Sequence, residues 1–374
     1  MQRKWRHRHM YRLLAFPCGP RRNPGWALRV VAWLVLTLPA CATDDPTPPD
    51  LAIVRVPEGL ISDEMLQAVA HEFYAQYPDE YDQLVVLPSL GFVFPQAFYT
   101  PVRNDILGIG YGHDEALPEV FHRPEFGASR LGGIVVMASG WHNSLDLDDP
   151  DGSASLGGRD SLLGVLAQET GHQWLARVYY RDLDGQASLG ILGRTANHWS
   201  YLLDTGGSPM GGNRWMPEGD GFRGPVIEDD AVAFSPLDLH LMGVLAADQV
   251  PDMTLLHPDD ESACGILQPS GAISGDQEGN PSGCSYYWHD RDDAILPSGT
   301  TESVTIEQIV AVEGPRIPAA GPSTLRQAWI LAVPDDTPVD LQRAALADVL
   351  REAWGSYFEA ATGGRLTIDS RLRR

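Results

Sequence analysis

The chain alternates short apolar runs with segments of helical periodicity, and this alternation predicts an α/β (α+β) fold built on a mixed, twisted sheet. Ser62 is a candidate N-cap for the first helix, where Met65, Val69 and Phe73 fall on one face. We expect that helix at 63–76 and strands at 51–56, 82–90, 96–102 and 133–138.

The second half of the chain predicts further helices and a hairpin. We expect helices at 160–177, 236–246 and 338–361, and strands at 327–333 and 365–369. We therefore divide the chain after its leader into a main domain at 51–250, a loop or hairpin region at 251–303 and a small C-terminal α/β appendage at 304–374.

Residues 1–40 have the layout of an export signal. They contain eight basic and no acidic residues, and the apolar run at 30–38 is too short to span a membrane. Leu38-Pro39-Ala40-Cys41 resembles the bacterial lipobox, although Pro39 departs from it. The resemblance implies lipidation of Cys41, a polar tether at 41–50 and a place in the cell envelope, periplasmic or at the outer surface. The alternative is cleavage after Ala42 and a soluble secreted protein.

The body of the chain is strongly acidic. From Cys41 onward the sequence contains 19 arginines and 50 acidic residues, and Lys4 is the one lysine of the sequence. Such a body repels nucleic acid and anionic lipid surfaces, and it lacks the lysine of a Schiff base or P-loop. In an oxidising compartment, Cys264 and Cys284 predict a structural disulfide.

The predicted helix at 160–177 carries the sequence Gln168-Glu169-Thr170-Gly171-His172. Positions 168 and 172 are four residues apart, so both side chains point to one side of a helix. The His-Glu-x-x-His motif uses this spacing to hold Zn²⁺ with two imidazoles, while its glutamate activates a metal-bound water. Here Gln168 stands at the first ligand position.

Two segments downstream strengthen the motif. His198-Trp199 follows 26 residues after His172, and Ser208-Pro209-Met210 ends 12 residues later. Together these residues resemble the metzincin zinc metallopeptidases, most closely the leishmanolysin-like group. The resemblance implies a metzincin-like fold and peptide or protein substrates. It also implies zinc on His172 and His198, Glu169 as the catalytic base and Met210 as the floor below the metal.

Gln168, Leu175 and Val178 depart from the metzincin pattern. Because an amide is a poor ligand for zinc, two functions stay open: a zinc peptidase, and a catalytically dead relative that binds a partner or has a structural role. His240 and His142 are weaker candidates for a further ligand.

Two groups of aspartates could also bind a metal ion, but each has a simpler explanation. Asp182 and Asp184 could supply an aspartate ligand for zinc, but they are typical of a turn. The density of aspartates at 146–151 could suggest Ca²⁺, but Asp146, Asp148, Asp149 and Asp151 fit a solvated acidic loop better.

Four further segments resemble a group of exported bacterial proteins. This second resemblance implies no particular activity for the chain. The first two lie at 102–105 (Val-Arg-Asn-Asp) and 107–110 (Leu-Gly-Ile-Gly). The others lie at 234–243 and 312–316 (Val-Glu-Gly-Pro-Arg).

Overall fold

The apolar runs form the strands of a six-stranded sheet. The structure is a computed structural model that describes residues 48–59, 62–113, 117–144, 161–224, 232–259, 294–296 and 298–374. The described residues belong to one compact unit, Pro46–Arg374. The predicted leader, Cys41, the Cys264–Cys284 pair and the acidic loop at 146–151 lie outside the described residues.

The described part of the chain contains five α-helices and 17 strands. The helices are α1 (Ser62–Tyr74), α2 (Leu162–Gly171), α3 (Pro236–Met242), α4 (Ile306–Glu313) and α5 (Leu341–Ala361). The strands are β1 (Leu51–Val56), β2 (Gln83–Pro88), β3 (Phe98–Pro101), β4 (Arg103–Asn104), β5 (Phe121–His122), β6 (Gly133–Val136), β7 (Tyr180–Arg181), β8 (Ala187–Ser188), β9 (Trp199–Asp204), β10 (Gly211–Asn213), β11 (Met216–Glu218), β12 (Gly221–Gly224), β13 (Met253–Pro258), β14 (Ala294–Leu296), β15 (Gly299–Val304), β16 (Thr324–Pro334) and β17 (Thr367–Asp369).

The main sheet has the order β1-β16-β2-β6-β3, with β17 also paired to β16. Strands β1, β16, β2 and β6 run parallel to their neighbours, whereas β3 runs antiparallel to β6 at the edge. The predicted α/β (α+β) class with a mixed sheet is confirmed.

Helices cover both faces of this sheet. On one face, Met65, Val69 and Phe73 of α1 are buried against alternate residues of the strands, such as Val54. On the other face, α2 and α5 pack in a second apolar cluster. Because parallel strands are buried on both sides, they are largely apolar; all six residues of β2 are buried, and Gln83 is the one polar residue among them.

The C-terminal segment is part of the main sheet. We expected 304–374 to form an appendage, but β16 lies between β1 and β2 and pairs with both in parallel. Trp329, for example, faces Leu51 on one side and Val85 on the other. The local pattern of β16 does show a strand, but it does not show which strands become its neighbours.

The loop-rich middle of the chain forms smaller sheets. The predicted hairpin region contains β13 and β15, which pair antiparallel along their full lengths. Strand β9 joins that pair to β10, so the segment after His198 is held on both sides. None of the helices in the described ranges has the length and apolar character that crossing a membrane requires.

Candidate functional site

Helix α2 carries the predicted motif, but it is shorter than we expected. It begins after Ser161, whose hydroxyl accepts a hydrogen bond from the Gly164 N–H at 3.0 Å, and it ends at Gly171 instead of near residue 177. The chain leaves the helix through Ala176, a non-glycine residue with φ of 59°. The His172 N–H still donates a helical hydrogen bond to the Gln168 carbonyl at 3.1 Å, so the side chains of Gln168 and His172 lie on the same side of the helix end.

The structure brings His198 to the end of α2. The ring centroids of His172 and His198 lie 4.9 Å apart, with the ring planes 88° from parallel. Two imidazoles on one tetrahedral zinc have centroids about 5 Å apart, given Zn–N bonds of about 2.0–2.1 Å. The sequence therefore identified a pair of histidines whose spacing is compatible with a shared metal ion.

Glu169 lies beside this pair. It is buried, and its Oε2 atom is 3.9 Å from Nε2 of His172. Its Oε1 atom accepts a hydrogen bond from the Gln168 amide at 3.3 Å.

Gln168 also contacts His198. Its amide nitrogen lies 3.2 Å from Nε2 of His198, close enough for a hydrogen bond. Because an amide N–H only donates, Nε2 of His198 accepts through its lone pair and the ring carries its proton on Nδ1. Gln168 thus links the downstream histidine to Glu169.

These side chains fall one imidazole or carboxylate short of the usual ligand set of a catalytic zinc ion. Such a site needs three protein ligands, usually imidazoles or carboxylates, plus an open position. The centre supplies two imidazoles and an amide, with Glu169 in the place of the base. Among the described residues, no group of three or more His, Cys, Asp or Glu side chains is arranged to hold a metal ion.

Met210 lies directly behind the end of α2. It is fully buried, and its sulfur atom would stand 2.7 Å from a Cβ atom added to Gly171. Only glycine at position 171 therefore permits this contact. The Met210 carbonyl accepts the Trp199 N–H at 2.9 Å, which ties this turn to the residue after His198.

The loop that presents His198 has an unusual backbone. Thr195 and Ala196 have φ angles of 54° and 52°, in the left-handed region that non-glycine residues rarely adopt. The His198 carbonyl then accepts the Gly193 N–H at 2.7 Å.

Asp238 fixes the surroundings of His198 and Met210. This fully buried carboxylate accepts hydrogen bonds from Trp199 Nε1 and from the Ser235 N–H, both at 2.7 Å, and bonds the side chain of Ser208. Burial raises the pKa of Asp238, while these hydrogen bonds oppose the shift. The sequence carries one signal at this residue, the capping pattern Ser235-x-x-Asp238, which indicates the start of a helix but not the bond to Trp199.

The weaker candidates lie outside this arrangement. His240 hydrogen bonds the Leu245 carbonyl at 3.1 Å, and burial lowers its pKa. His142 lies 2.9 Å from the Arg343 guanidinium, and burial, aided by this charge, lowers its pKa. Asp182 starts a tight turn that Gly185 completes with a φ of 75°, as the simpler interpretation predicted.

The segments that resemble exported bacterial proteins pack against one another. A Cβ atom on Gly108 would stand 2.6 Å from the Pro315 carbonyl oxygen, so the two loops touch through their backbones. The Arg316 guanidinium donates to the carbonyls of Leu241 and Met242 at the end of α3, and burial lowers its pKa to about 10. The segments at 107–110, 234–243 and 312–316 therefore contribute to packing between loops and α3.

The chain matches no family model, and comparisons with curated proteins and with solved structures also gave no match.

Proposed function

We propose that this chain is an exported, lipid-anchored protein with a metzincin-like centre that binds a peptide segment without hydrolysing it. The observation that carries the proposal is the contact between the Gln168 amide and Nε2 of His198. It places a hydrogen-bond donor on the lone pair with which this histidine would bind a metal ion.

The chemistry of Gln168 favours loss of catalysis. A metal ion at His198 would have to displace the amide donor, and the amide oxygen that could replace it is a weak ligand for zinc. Gln168 instead connects His198 and Glu169 in a chain of hydrogen bonds. Glu169 is thereby occupied by an amide, in the place where a peptidase needs a base free to act on water.

The surrounding fold supports a peptide as the partner. Strand β3 ends the main sheet among the described residues, next to β6, the sheet strand that precedes α2 in the chain. An edge strand can pair with an extended peptide through its main-chain groups. Retention of Met210 behind α2 supports descent from a peptidase centre.

A second candidate is an active zinc peptidase in which Gln168 contributes its amide oxygen. The 4.9 Å between the rings of His172 and His198 favours it, because that spacing is compatible with a shared metal ion. The side chain of Glu169, 3.9 Å from His172, would then act as the base.

The envelope location rests on the N-terminal sequence. Cys41 follows a basic and apolar leader, and the proline-rich stretch after it suits a tether. The acidic body would remain soluble beside a membrane anchor.

The variant Gln168→His distinguishes the two candidates. It supplies a third imidazole, and since loss of an outer-sphere partner already costs about 10–100-fold in metal affinity, we expect zinc to bind at least about 100-fold more tightly than to the wild type. Hydrolysis of an unstructured protein substrate should appear in this variant and disappear in Gln168→His/Glu169→Ala. Zinc titration by calorimetry and a peptidase assay measure both.

Gln168→Ala is the matched control, because it removes the amide without adding a nitrogen. Its zinc affinity should stay far below that of Gln168→His, because it frees His198 without supplying a third imidazole. Zinc-dependent hydrolysis by the wild type that is lost in Glu169→Ala would establish the second candidate instead. Equal zinc affinity of Gln168→His and Gln168→Ala would show that position 168 does not face the metal.

A further inference from the structure

A pocket lies between the β7–β8 turn and the β13–β15 pair. Its volume is about 590 Å³, within the range of small-molecule sites. None of Gln168, Glu169, His172 and His198 lines it. Its wall includes Tyr180, Leu202, Leu255, Leu256, His257 and Glu302.

Glu302 is a buried carboxylate in the wall of this pocket. It lies on β15 opposite Leu255, and only 7% of its surface is exposed. Its Oε2 atom accepts hydrogen bonds from His257 Nε2 at 2.9 Å and from the Tyr180 hydroxyl at 3.3 Å. Since both partners also line the pocket, the carboxylate lies at the pocket wall.

The other oxygen of Glu302, Oε1, accepts no hydrogen bond from the residues that the structure describes, although this atom is buried. A carboxylate can accept about four hydrogen bonds, and leaving a buried one half-satisfied is unfavourable. The buried Leu255 lies directly opposite Glu302 on the neighbouring strand, so an apolar residue would suit the packing at this position.

The chemistry of the pocket selects a cation. Three carboxylates line it, those of Glu302, Asp182 and Asp184, and no Lys or Arg is among its described lining residues. Leucines 202, 255 and 256 provide buried apolar walls. Burial, with the charge of Glu302, raises the pKa of Tyr180 to about 12, so its hydroxyl stays a donor at neutral pH.

From this geometry we propose that the pocket binds an organic cation, a guanidinium or ammonium group on an apolar stem, with Glu302 as its counter-ion. The N–H groups of the cation satisfy the free capacity of the carboxylate, and the stem packs on the leucines. Among the described residues, no three His, Cys, Asp or Glu side chains are arranged to hold one metal ion, so the three carboxylates of this pocket suit an extended organic cation better than a metal ion. The same chemistry occurs in a basic peptide side chain and in a free amine or guanidine.

Calorimetry with butylguanidinium tests the site in the exported protein. We expect saturable 1:1 binding to the wild type, and an affinity at least about tenfold weaker for Glu302→Gln, which keeps the shape but removes the charge. Butylurea has the same shape without charge and should bind at least about tenfold more weakly than butylguanidinium to the wild type. This second comparison needs no variant and therefore does not depend on how Glu302→Gln folds.

Glu313→Gln is the matched control, because the Glu313 side chain is also largely covered and paired with a histidine. Its Oε1 atom lies 2.7 Å from His113 Nε2, outside the pocket. This variant should bind butylguanidinium within about twofold of the wild type. An equal loss in both variants, equal binding of butylurea, or binding of Ca²⁺ in place of butylguanidinium would overturn the proposal.

The source of the cation is distinguished by a second ligand. A blocked Gly-Arg-Gly tripeptide that binds more tightly than butylguanidinium identifies a basic peptide side chain as the natural group. Tighter binding of butylguanidinium identifies a free small cation. The site is independent of the Gln168 centre, so Gln168→His should leave both affinities unchanged.

Discussion

At the residue scale, the proposed function depends on the amide of Gln168, which stands where a metallopeptidase of this type would have its first zinc ligand. The sequence predicted that Gln168 and His172 point to one side of a helix with Glu169 beside them, because that follows from spacing on a single element. The contact with His198 joins residues 30 positions apart through a loop with two left-handed residues. That loop has no strong local signal, since neither Thr195 nor Ala196 favours such a backbone.

Asp238 is the residue on which the position of the His198 strand depends. Asp238→Ala leaves the buried indole N–H of Trp199 without its acceptor and removes the capping box of α3. We expect a loss of about 3 kcal/mol in the free energy of unfolding, from an unsatisfied donor and a lost cap. Urea denaturation measures this loss.

Asp248 is exposed and provides the control for that measurement. Asp248→Ala should change the free energy of unfolding by less than about 0.5 kcal/mol. A similar small change in Asp238→Ala would show that the hydrogen bonds of Asp238 do not hold this region together.

At the element scale, a chain of buried hydrogen bonds connects α5 to α2, which lie on the same face of the sheet, through two amides on the adjacent strands β16 and β2. Trp354 Nε1 donates to Gln327 Oε1 at 2.7 Å, and Gln327 Nε2 donates to Gln83 Oε1 at 2.7 Å. The Gln83 amide nitrogen in turn donates to the Thr170 carbonyl at 3.2 Å, next to the end of α2. This polar line helps to explain why α2 ends at Gly171, where a backbone carbonyl turns to a partner outside the helix.

Gln327→Ala tests this line of amides. The substitution removes the partners of the Trp354 indole N–H and of the Gln83 side-chain oxygen, Oε1, and it opens a small cavity in the core. We expect the free energy of unfolding to fall by about 3 kcal/mol. Gln342→Ala changes an exposed amide on α5 and should cost less than about 0.5 kcal/mol by the same urea titration. Equal effects of the two variants would contradict the role of the buried amides.

The elements themselves were largely predictable, whereas their ends and partners were not. The pattern at 51–56 and 133–138 predicted β1 and β6, because alternation and apolar runs are local properties. The end of α2 depends on Gln83 and Met210, which lie far away in sequence. Long-range contacts of this kind leave no periodic signal.

At the scale of the whole molecule, the two ends of the described chain meet. Leu372 donates its backbone N–H to the Asp50 carboxylate at 3.0 Å, just before β1. Arg371 and Arg373 both pair with Asp369, and these hydrogen bonds hold the pKa of Asp369 well below its usual range. The position of β16 inside the sheet places the C-terminal segment beside the N-terminal strand. Sequence could not show this, because the two strands of the pair lie at opposite ends of the body.

The proposed anchor is a prediction about the whole molecule. Since Asp50 lies beside the folded C-terminal segment, a tether at 41–50 would connect the lipid directly to this side of the domain. We expect mass spectrometry of the mature protein to show Cys41 as the first residue, carrying acyl chains. Cys41→Ala should release the protein in soluble form. A mature start at Thr43 without modification would contradict the anchor.

The zinc content of the wild-type protein tests the central claim most directly. Elemental mass spectrometry of the purified protein, produced in cells grown with added zinc and dialysed without chelator, gives the number of ions per chain. Because Gln168 donates to His198 and supplies no third nitrogen, we predict a value far below one. One zinc ion per chain, lost in His172→Ala and in His198→Ala, would contradict the account.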